Sequence, residues 1–495
     1  MKSFSTRMSF LKDPSSCTIS AFSFAFSQAR PRSALRTRLC RRSILSLLLI
    51  IILAAGSVWL PKAANADDGP SPNDPGKGGA AADHFSWDLR VISFGVVQQP
   101  ISSTQNTSNN FLQLPRYVVD AEMRPDLRLS LDALELSAKP RGRLDYSVWE
   151  DGVPKGQSSG DDDSYVNEWL ARLKVRENLF VSYGRENLQW GPSFLFSPSN
   201  PFFQDNGRRN PYLEVPGMDF GRLIWIPAAA WTVSFIANTG EGLNKTTGPG
   251  SFLSSTPPPP FEQTYTVKLD YAGRENYASL MLSRRADAEN LAGFFGGWTV
   301  SDAVLLYGEG VVTRGSIGLY PTEDSSPLGA SMEEIHKHDP ALYPEILVGC
   351  SYTFESKGIL TGEYAYYSPG YGATEADDYY TLRRRASAVF TRGGLISLLG
   401  METLGETALT NLRFLRRDYG MVQYTQTNIR NRIDLTLRWT QNLDDGSGQF
   451  TSILSYSLGK HVELFSVATL MAGGKNTEFG SVLLYQVMCG VQYTF

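Results

Sequence analysis

What most limits the fold of this chain is a period-two alternation of apolar and polar residues that recurs along most of its length. Leu127, Leu129 and Leu131 alternate with Asp126, Arg128, Ser130 and Asp132. Tyr265, Val267, Leu269 and Tyr271 alternate with Thr264, Thr266, Lys268 and Asp270. Ile433, Leu435, Leu437 and Trp439 alternate with Arg432, Asp434, Thr436, Arg438 and Thr440. Successive side chains of a strand point to opposite faces, so each segment has one apolar face and one charged face. From Asp67 onward no apolar stretch approaches the ~20 residues of a transmembrane helix.

Alternation alone fits a soluble sandwich as well as a membrane barrel, and the spacing of the breaks separates them. Short turns are expected at Pro227-Ala228-Ala229, Glu355 to Gly358 and Arg392-Gly393-Gly394. Long polar loops are expected near Ser102–Leu114, Pro192–Gly217, Thr239–Glu262 and Arg314–Pro340. Short turns on one side and long loops on the other describe a transmembrane barrel, whose closure leaves no unpaired backbone in lipid. The sequence therefore predicts an all-β protein, a single antiparallel transmembrane β-barrel of about 18 strands, with 16–20 allowed. Tyr117–Lys139 and Leu409–Gln426 are the stretches that leave the count open.

The amino end predicts export. Residues 1–42 carry nine basic side chains and one acid, Asp13, and an apolar run follows from Ile44 to Leu60. Ala64-Asn65-Ala66 then offers a small-x-small cleavage pattern, with Ala64 and Ala66 at the recognition positions. The reading is a signal peptide over 1–66, a flexible periplasmic tail rich in Gly, Pro and Asp over 67–83, and a barrel over 84–495. A retained membrane anchor is the alternative to cleavage. The basic stretch is over-long for a signal, which fits a start codon assigned too early or a Ser- and Arg-rich organelle transit peptide.

Ten of the 46 basic residues and one of the 50 acids lie within 1–66, leaving 36 and 49, a net charge of −13. That balance excludes nucleic acid as a partner. Cys350 and Cys489 are the cysteines beyond residue 66, enough for one bridge but not for a disulfide framework.

The last strand is the sharpest motif. Phe495, Tyr493, Val491, Cys489, Val487, Tyr485 and Leu483 share one face, and Thr494, Gln492, Gly490, Met488, Gln486 and Leu484 the other. With Gly490, Tyr493 and Phe495, the chain resembles Gram-negative outer-membrane β-barrel proteins, whose final strand carries a Gly and then aromatic-x-aromatic. Met488 departs from that pattern, where a polar residue is usual. The resemblance implies that this strand closes the barrel and is read by the barrel-insertion machinery.

A second resemblance rests on Ser182-Tyr183-Gly184-Arg185-Glu186-Asn187-Leu188-Gln189-Trp190-Gly191-Pro192. It runs on through Ser197-Pro198-Ser199-Asn200-Pro201 to Asp205, Arg208, Arg209 and Glu214. A Gly-Arg…Trp-Gly strand leading into a Ser/Asn-Pro loop is similar to the porin-like superfamily, and also to capsule-assembly outer-membrane barrels. This implies a porin-like channel for passive diffusion of small hydrophilic solutes. The alternative is a barrel that binds, or helps assemble or export, a surface polysaccharide. An outer-membrane hydrolase is a third and weaker class.

Candidate constriction residues follow. Arg185, Glu186, Asp205, Arg208, Arg209 and Glu214 place both charges beside one loop, and opposed charges across a pore set a transverse field that filters solutes. Arg383 and Arg385, which alternation would send to one face, with Arg384 on the other, join Arg413, Arg416, Arg417, Arg430, Arg432 and Arg438 as a basic ladder attractive to anions. Trp87, Trp149, Trp225, Trp231, Trp298 and Trp439 are expected at the membrane interfaces. No enzyme is expected: His84, His336, His338 and His461 stand without a placed Ser or acid partner. His336 and His338 beside Glu333 and Glu334 read as solvated loop residues, so neither a metal nor a cofactor is expected. Pro257 to Pro260 reads as a rigid spacer. Expected partners are outer-membrane lipid and lipopolysaccharide, the insertion machinery and small polar or sugar-like solutes, with a homo-oligomer allowed.

Overall fold

The computed structural model describes residues 84–203, 206–243, 263–286 and 290–495. The expected signal segment with Ala64 and Ala66, the tail 67–83, Asp205 and the Pro257–Pro260 run lie outside them.

Alternating runs become strands along most of the described chain. In chain order these are β1 (Phe85–Pro100), β2 (Tyr117–Ser130), β3 (Leu134–Val148), β4 (Ser158–Arg176) and β5 (Leu179–Glu186). Next come β6 (Met218–Ala228), β7 (Trp231–Gly240), β8 (Thr264–Ala272), β9 (Asn276–Arg285), β10 (Asn290–Ser301) and β11 (Val304–Arg314). A small hairpin, β12 (Tyr320–Glu323) and β13 (Ala330–Glu333), interrupts the series before β14 (Leu342–Thr353) and β15 (Gly358–Tyr367). Two helices, α1 (Ala373–Arg392) and α2 (Ile396–Ala408), precede β16 (Asp418–Ile429), β17 (Ile433–Asn442), β18 (Gly448–Leu458), β19 (Val462–Ala472) and β20 (Leu483–Thr494).

Among the described residues, all these strands except β12 and β13 form one 18-stranded antiparallel sheet, as expected. Each pairs with its neighbour in this order, and β1 pairs with both β2 and β20, closing a barrel. At the seam Phe94 faces Gly490, which in turn faces Phe465 of β19. A Cβ on Gly490 would come within 2.5 Å of the Phe465 ring and of the Ser93 carbonyl, so only glycine fits between those two strands. Tyr117–Lys139 resolves into two strands that turn at Leu131-Asp132-Ala133, and the second open stretch contributes β16 alone.

Connections after β2, β4, β6, β8, β10, β14, β16 and β18 span two to four residues, while the other end carries the long loops, up to the 50 residues between β15 and β16. The outer face is apolar, with Val181, Phe235, Leu280, Leu282, Val348 and Val422 all exposed. Trp87, Trp225, Trp231 and Trp298 lie on it near the short-turn end, and Tyr183, Tyr265, Tyr364 and Trp439 near the loop end. An apolar belt between two aromatic girdles is the surface of a membrane-spanning barrel. Trp149 departs from that expectation: it lies beyond β3 and its indole N–H donates to the Gln113 carbonyl. Cys350 and Cys489 are unpaired and exposed, so the one bridge the sequence allowed is not formed.

The second correction concerns Arg383 and Arg385. They lie in α1, so the expected turn at Arg392-Gly393-Gly394 is instead the link between α1 and α2, where both glycines have φ of 72°. Glu375 accepts from the Gly372 N–H at 2.6 Å, half of a capping box that starts the helix. Arg383 is buried, its guanidinium 5.2 Å from the Tyr379 ring and 5.5 Å from that of Tyr380. Arg385 donates to the Leu328 carbonyl at 2.9 Å. Arg385 ties the helix to the hairpin turn, Arg383 packs on rings of its own helix, and neither forms a ladder on the barrel wall.

Candidate functional site

Inward positions of the strands are polar: Ser182, Ser234, Thr266, Ser279, Gln423, Thr451 and Gln486 are all buried there. Into this polar interior folds the connection between β5 and β6, residues 187–217 (the crossing loop), and its backbone is satisfied by the barrel wall. Two carboxylates anchor its first half. Glu309 of β11 accepts from the hydroxyls of Ser193 (2.7 Å), Ser197 and Ser199 (2.6 Å), and from the Ser199 N–H at 3.2 Å. Glu363 of β15 accepts from the N–H groups of Phe194 (2.7 Å) and Leu195 (2.8 Å), and from the Tyr307 hydroxyl at 2.6 Å. Hydrogen bonds to an ionised acceptor are the strong kind. Gly191 permits this approach, since it has φ of +86° and a Cβ there would lie 2.3 Å from a Glu309 oxygen.

The loop then crosses toward other strands. Arg413, just before β16, donates to the carbonyls of Ser197 (2.6 Å) and Asn200 (3.0 Å). Phe202 and Phe203 pack on Phe220 of β6 and Ile236 of β7. Arg438 of β17 donates to the Arg208 carbonyl at 3.0 Å and to Gln423 at 2.7 Å. Tyr212 stacks on Phe465 with centroids 3.8 Å apart, and its hydroxyl donates to Glu463 at 2.8 Å. Arg124 of β2 donates to the Tyr212 carbonyl at 2.9 Å. Finally Glu214 accepts two bonds from Arg141 of β3, at 2.6 and 2.8 Å, and Arg141 also donates to Asp126 at 2.8 Å.

The sequence-selected residues divide accordingly. Glu214 meets Arg141 rather than the arginines of its own loop. Arg208 spends its guanidinium on the carbonyls of Gly191, Pro192 and Ser193 and lies 4.9 Å from the Phe194 ring, which fixes the loop's shape. Arg209 is half-buried and makes no hydrogen bond or ion pair with another described residue. Glu186 pairs inward with Arg222 at 2.6 Å, whereas Arg185 pairs with Asp219 at 2.9 Å on the outer face. Arg432 is exposed at the β16–β17 turn, within 3.4 Å of the Tyr456 hydroxyl. Of the proposed basic ladder, Arg438 lies on the inner wall beside the loop and Arg413 reaches the loop from just before β16. His336 approaches Asp339 at 3.3 Å and the edge of Tyr320, and no group of three metal-ligating side chains occurs among the described residues.

The interior is lopsided. On the β11–β16 side, Tyr320, Tyr367, Tyr371, Tyr379 and Phe414 form a buried aromatic cluster with Leu195 and Phe196 of the crossing loop. On the β1–β6 side stand charged side chains that keep access to water: Arg90 is 31% exposed, Arg172 34% and Lys139 37%. Their partners Asp126, Glu135 and Glu168 are similarly open.

At the loop end the connection between β19 and β20 is latched by Glu478. It accepts from the Tyr419 hydroxyl, from the Asn442 amide at 2.8 Å and from the Leu415 N–H at 3.1 Å. Burial pushes its carboxyl from 4.5 up to about 7, against those hydrogen bonds. A folded-state pKa raised above the unfolded one gives stability that is fully present below pH 4.5 and is lost as pH rises through about 7. Protease resistance of residues 473–482 should therefore be greater at pH 5 than at pH 8, and Glu478→Gln should abolish the difference. An unchanged pH profile in that variant would exclude Glu478 as its source.

No family model matches the sequence, and no curated protein matches it. Among solved structures the chain is similar to OccK7 (OpdD) of Pseudomonas aeruginosa, at 12% identity, 83% of this chain and 98% of that one, with a TM-score of 0.49. It is also similar to the outer membrane protein OprD of Pseudomonas aeruginosa, at 8% identity, 83% and 94% coverage and a TM-score of 0.46. The values for OccAB3 of Acinetobacter baumannii are 11%, 83%, 99% and 0.44.

Proposed function

We propose that this chain is an outer-membrane channel through which small hydrophilic solutes diffuse passively, with the crossing loop as its filter. The observation that carries the reading is the lopsided interior. The loop's first half is pinned to the packed wall by Glu309 and Glu363 and its far end to β3 by Arg141, while other charged side chains of the β1–β6 side keep access to water. Solutes would pass along the charged wall, selected by size and by the mixed field of its arginines and acids. A passive channel of this kind needs neither catalytic residue nor cofactor. In this reading residues 1–66 are removed after export, and Gly490, Tyr493 and Phe495 guide insertion of β20.

Purified, refolded protein in planar bilayers should give steady stepwise conductance. Arg209, the crossing-loop cation without a described partner, should set part of the selectivity. Arg209→Glu should move the reversal potential in a salt gradient toward that of a cation-preferring pore. Silence from correctly folded protein would overturn the channel reading and favour binding of a surface polysaccharide by the long loops.

A further inference from the structure

The lipid-facing surface is dented between β6 and β14. There the outward positions Gly221, Ala237 and Ala292 are small, while Phe235, Leu282 and Leu342 stand around them. Register aligns them: Phe235 faces Leu223 and Val267, and Leu282 faces Val267 and Ala292. The result is an apolar trough of ≈ 870 Å³, larger than a second hollow of ≈ 590 Å³ over Cys350, Gly362 and Gly420.

Its loop-side end carries charge. Arg284 of β9 and Arg314 of β11 line the trough and are exposed, and neither bonds to another described residue. Arg284 is outward by the alternation of exposed Leu280, Leu282 and Arg284 with buried Ser279, Met281 and Ser283. Asn290 of β10, opposite Arg284, stands between the two. Two inter-strand spacings separate their backbones by about 10 Å. Arginine on a lipid-facing barrel surface is tolerated near an interface but costly at mid-depth, and Tyr265, the cross-strand partner of Arg284, marks this level as the girdle.

We propose that this trough seats one phosphorylated lipid of the outer leaflet, of the lipid A type, with its acyl chains against the small residues and its phosphates on Arg284 and Arg314. An apolar slot ending in two guanidinium groups matches a molecule that is part hydrocarbon and part phosphate, since guanidinium pairs with phosphate in a forked, charge-assisted geometry. The proposal rests on the outer-membrane reading, with the long loops outward. It does not require that the lumen conduct.

The test is native mass spectrometry of the detergent-purified barrel titrated with bisphosphorylated lipid A, with the dephosphorylated form and phosphatidylglycerol as comparisons. A one-to-one adduct is expected with the bisphosphorylated lipid. Arg284→Ala with Arg314→Ala should weaken it about tenfold or more. Val312→Trp, which fills the trough and leaves both arginines in place, should weaken it as well. Both variants should keep the heat-sensitive gel mobility of a folded barrel and the single-channel behaviour of the parent. Equal binding of phosphorylated and dephosphorylated lipid, or parent-like binding by either variant, would overturn the proposal. Loss of conductance in the parent with lipid binding intact would strike the channel reading alone.

Discussion

Glu309→Ala should free the first half of the crossing loop and raise single-channel conductance by roughly twofold or more, with added noise from loop motion. One carboxylate accepts from three serine hydroxyls and a backbone N–H, all on the Ser193–Ser199 stretch. Four hydrogen bonds from this stretch are lost, each worth about 1 kcal/mol, against the two to Glu363 that remain. The barrel should stay intact, because Glu309 lies within the β10–β11–β14 ladder and its backbone pairing is untouched. Glu309→Gln keeps one acceptor oxygen and the side-chain volume, so it should fall between parent and alanine variant. Parent-like conductance in the alanine variant, with gel mobility showing a folded barrel, would mean that the loop is not what limits flow.

Arg141→Ala should act at the loop's other end and through charge. The Arg141 side chain is 1% exposed and bonds Glu214, Asp126 and the carbonyls of Pro125 and Pro140. Its removal takes the cation from Glu214, while Asp126 keeps Arg90 at 3.1 Å; both carboxylates retain access to water, so the cost stays below the ~3–5 kcal/mol of a fully buried pair that loses one member. The loop near Glu214 should detach, and the added negative field should shift selectivity toward cations. Lysine should not restore the parent, because a point charge cannot make the forked bond to Glu214 while also reaching Asp126. Glu214→Gln introduced beside Arg141→Ala should recover part of the shift. An unchanged reversal potential in the single variant would place the solute path away from this wall.

The barrel was legible because alternation has one geometric meaning in a strand, and it repeats in nearly every strand found. It failed at Arg383 and Arg385, which alternation sent to one face of a strand. In α1 the inward residues Tyr379, Leu382, Arg383 and Ala386 follow the three-to-four spacing of a helix instead. Glu375, three residues after Gly372, was the start signal that alternation obscured. The crossing loop was recognisable from its prolines and its Trp-Gly-Pro entry, but its anchors were not. Glu309 and Glu363 are lone acids in otherwise uncharged runs, Gly308-Glu309-Gly310 and Gly362-Glu363, at inward positions. A solitary inward carboxylate beside glycines marks a place where another backbone approaches, and that signal was present unread. The partner of Glu214 lies 73 residues away on β3, a pairing that no local pattern encodes.

The seam between β1 and β20 joins the first described strand to the last. Loop-closure entropy opposes that ladder until the strands between are in place, and its residues are as distant in sequence as the described chain allows. Contacts of such separation form late. Until they form, β1 and β20 are both open edges, each a template for pairing with another chain. Gly490, wedged between Phe94 and Phe465, thus lies on the slow step of assembly. Crowding there would show up first as aggregation during insertion, before any change in the finished pore.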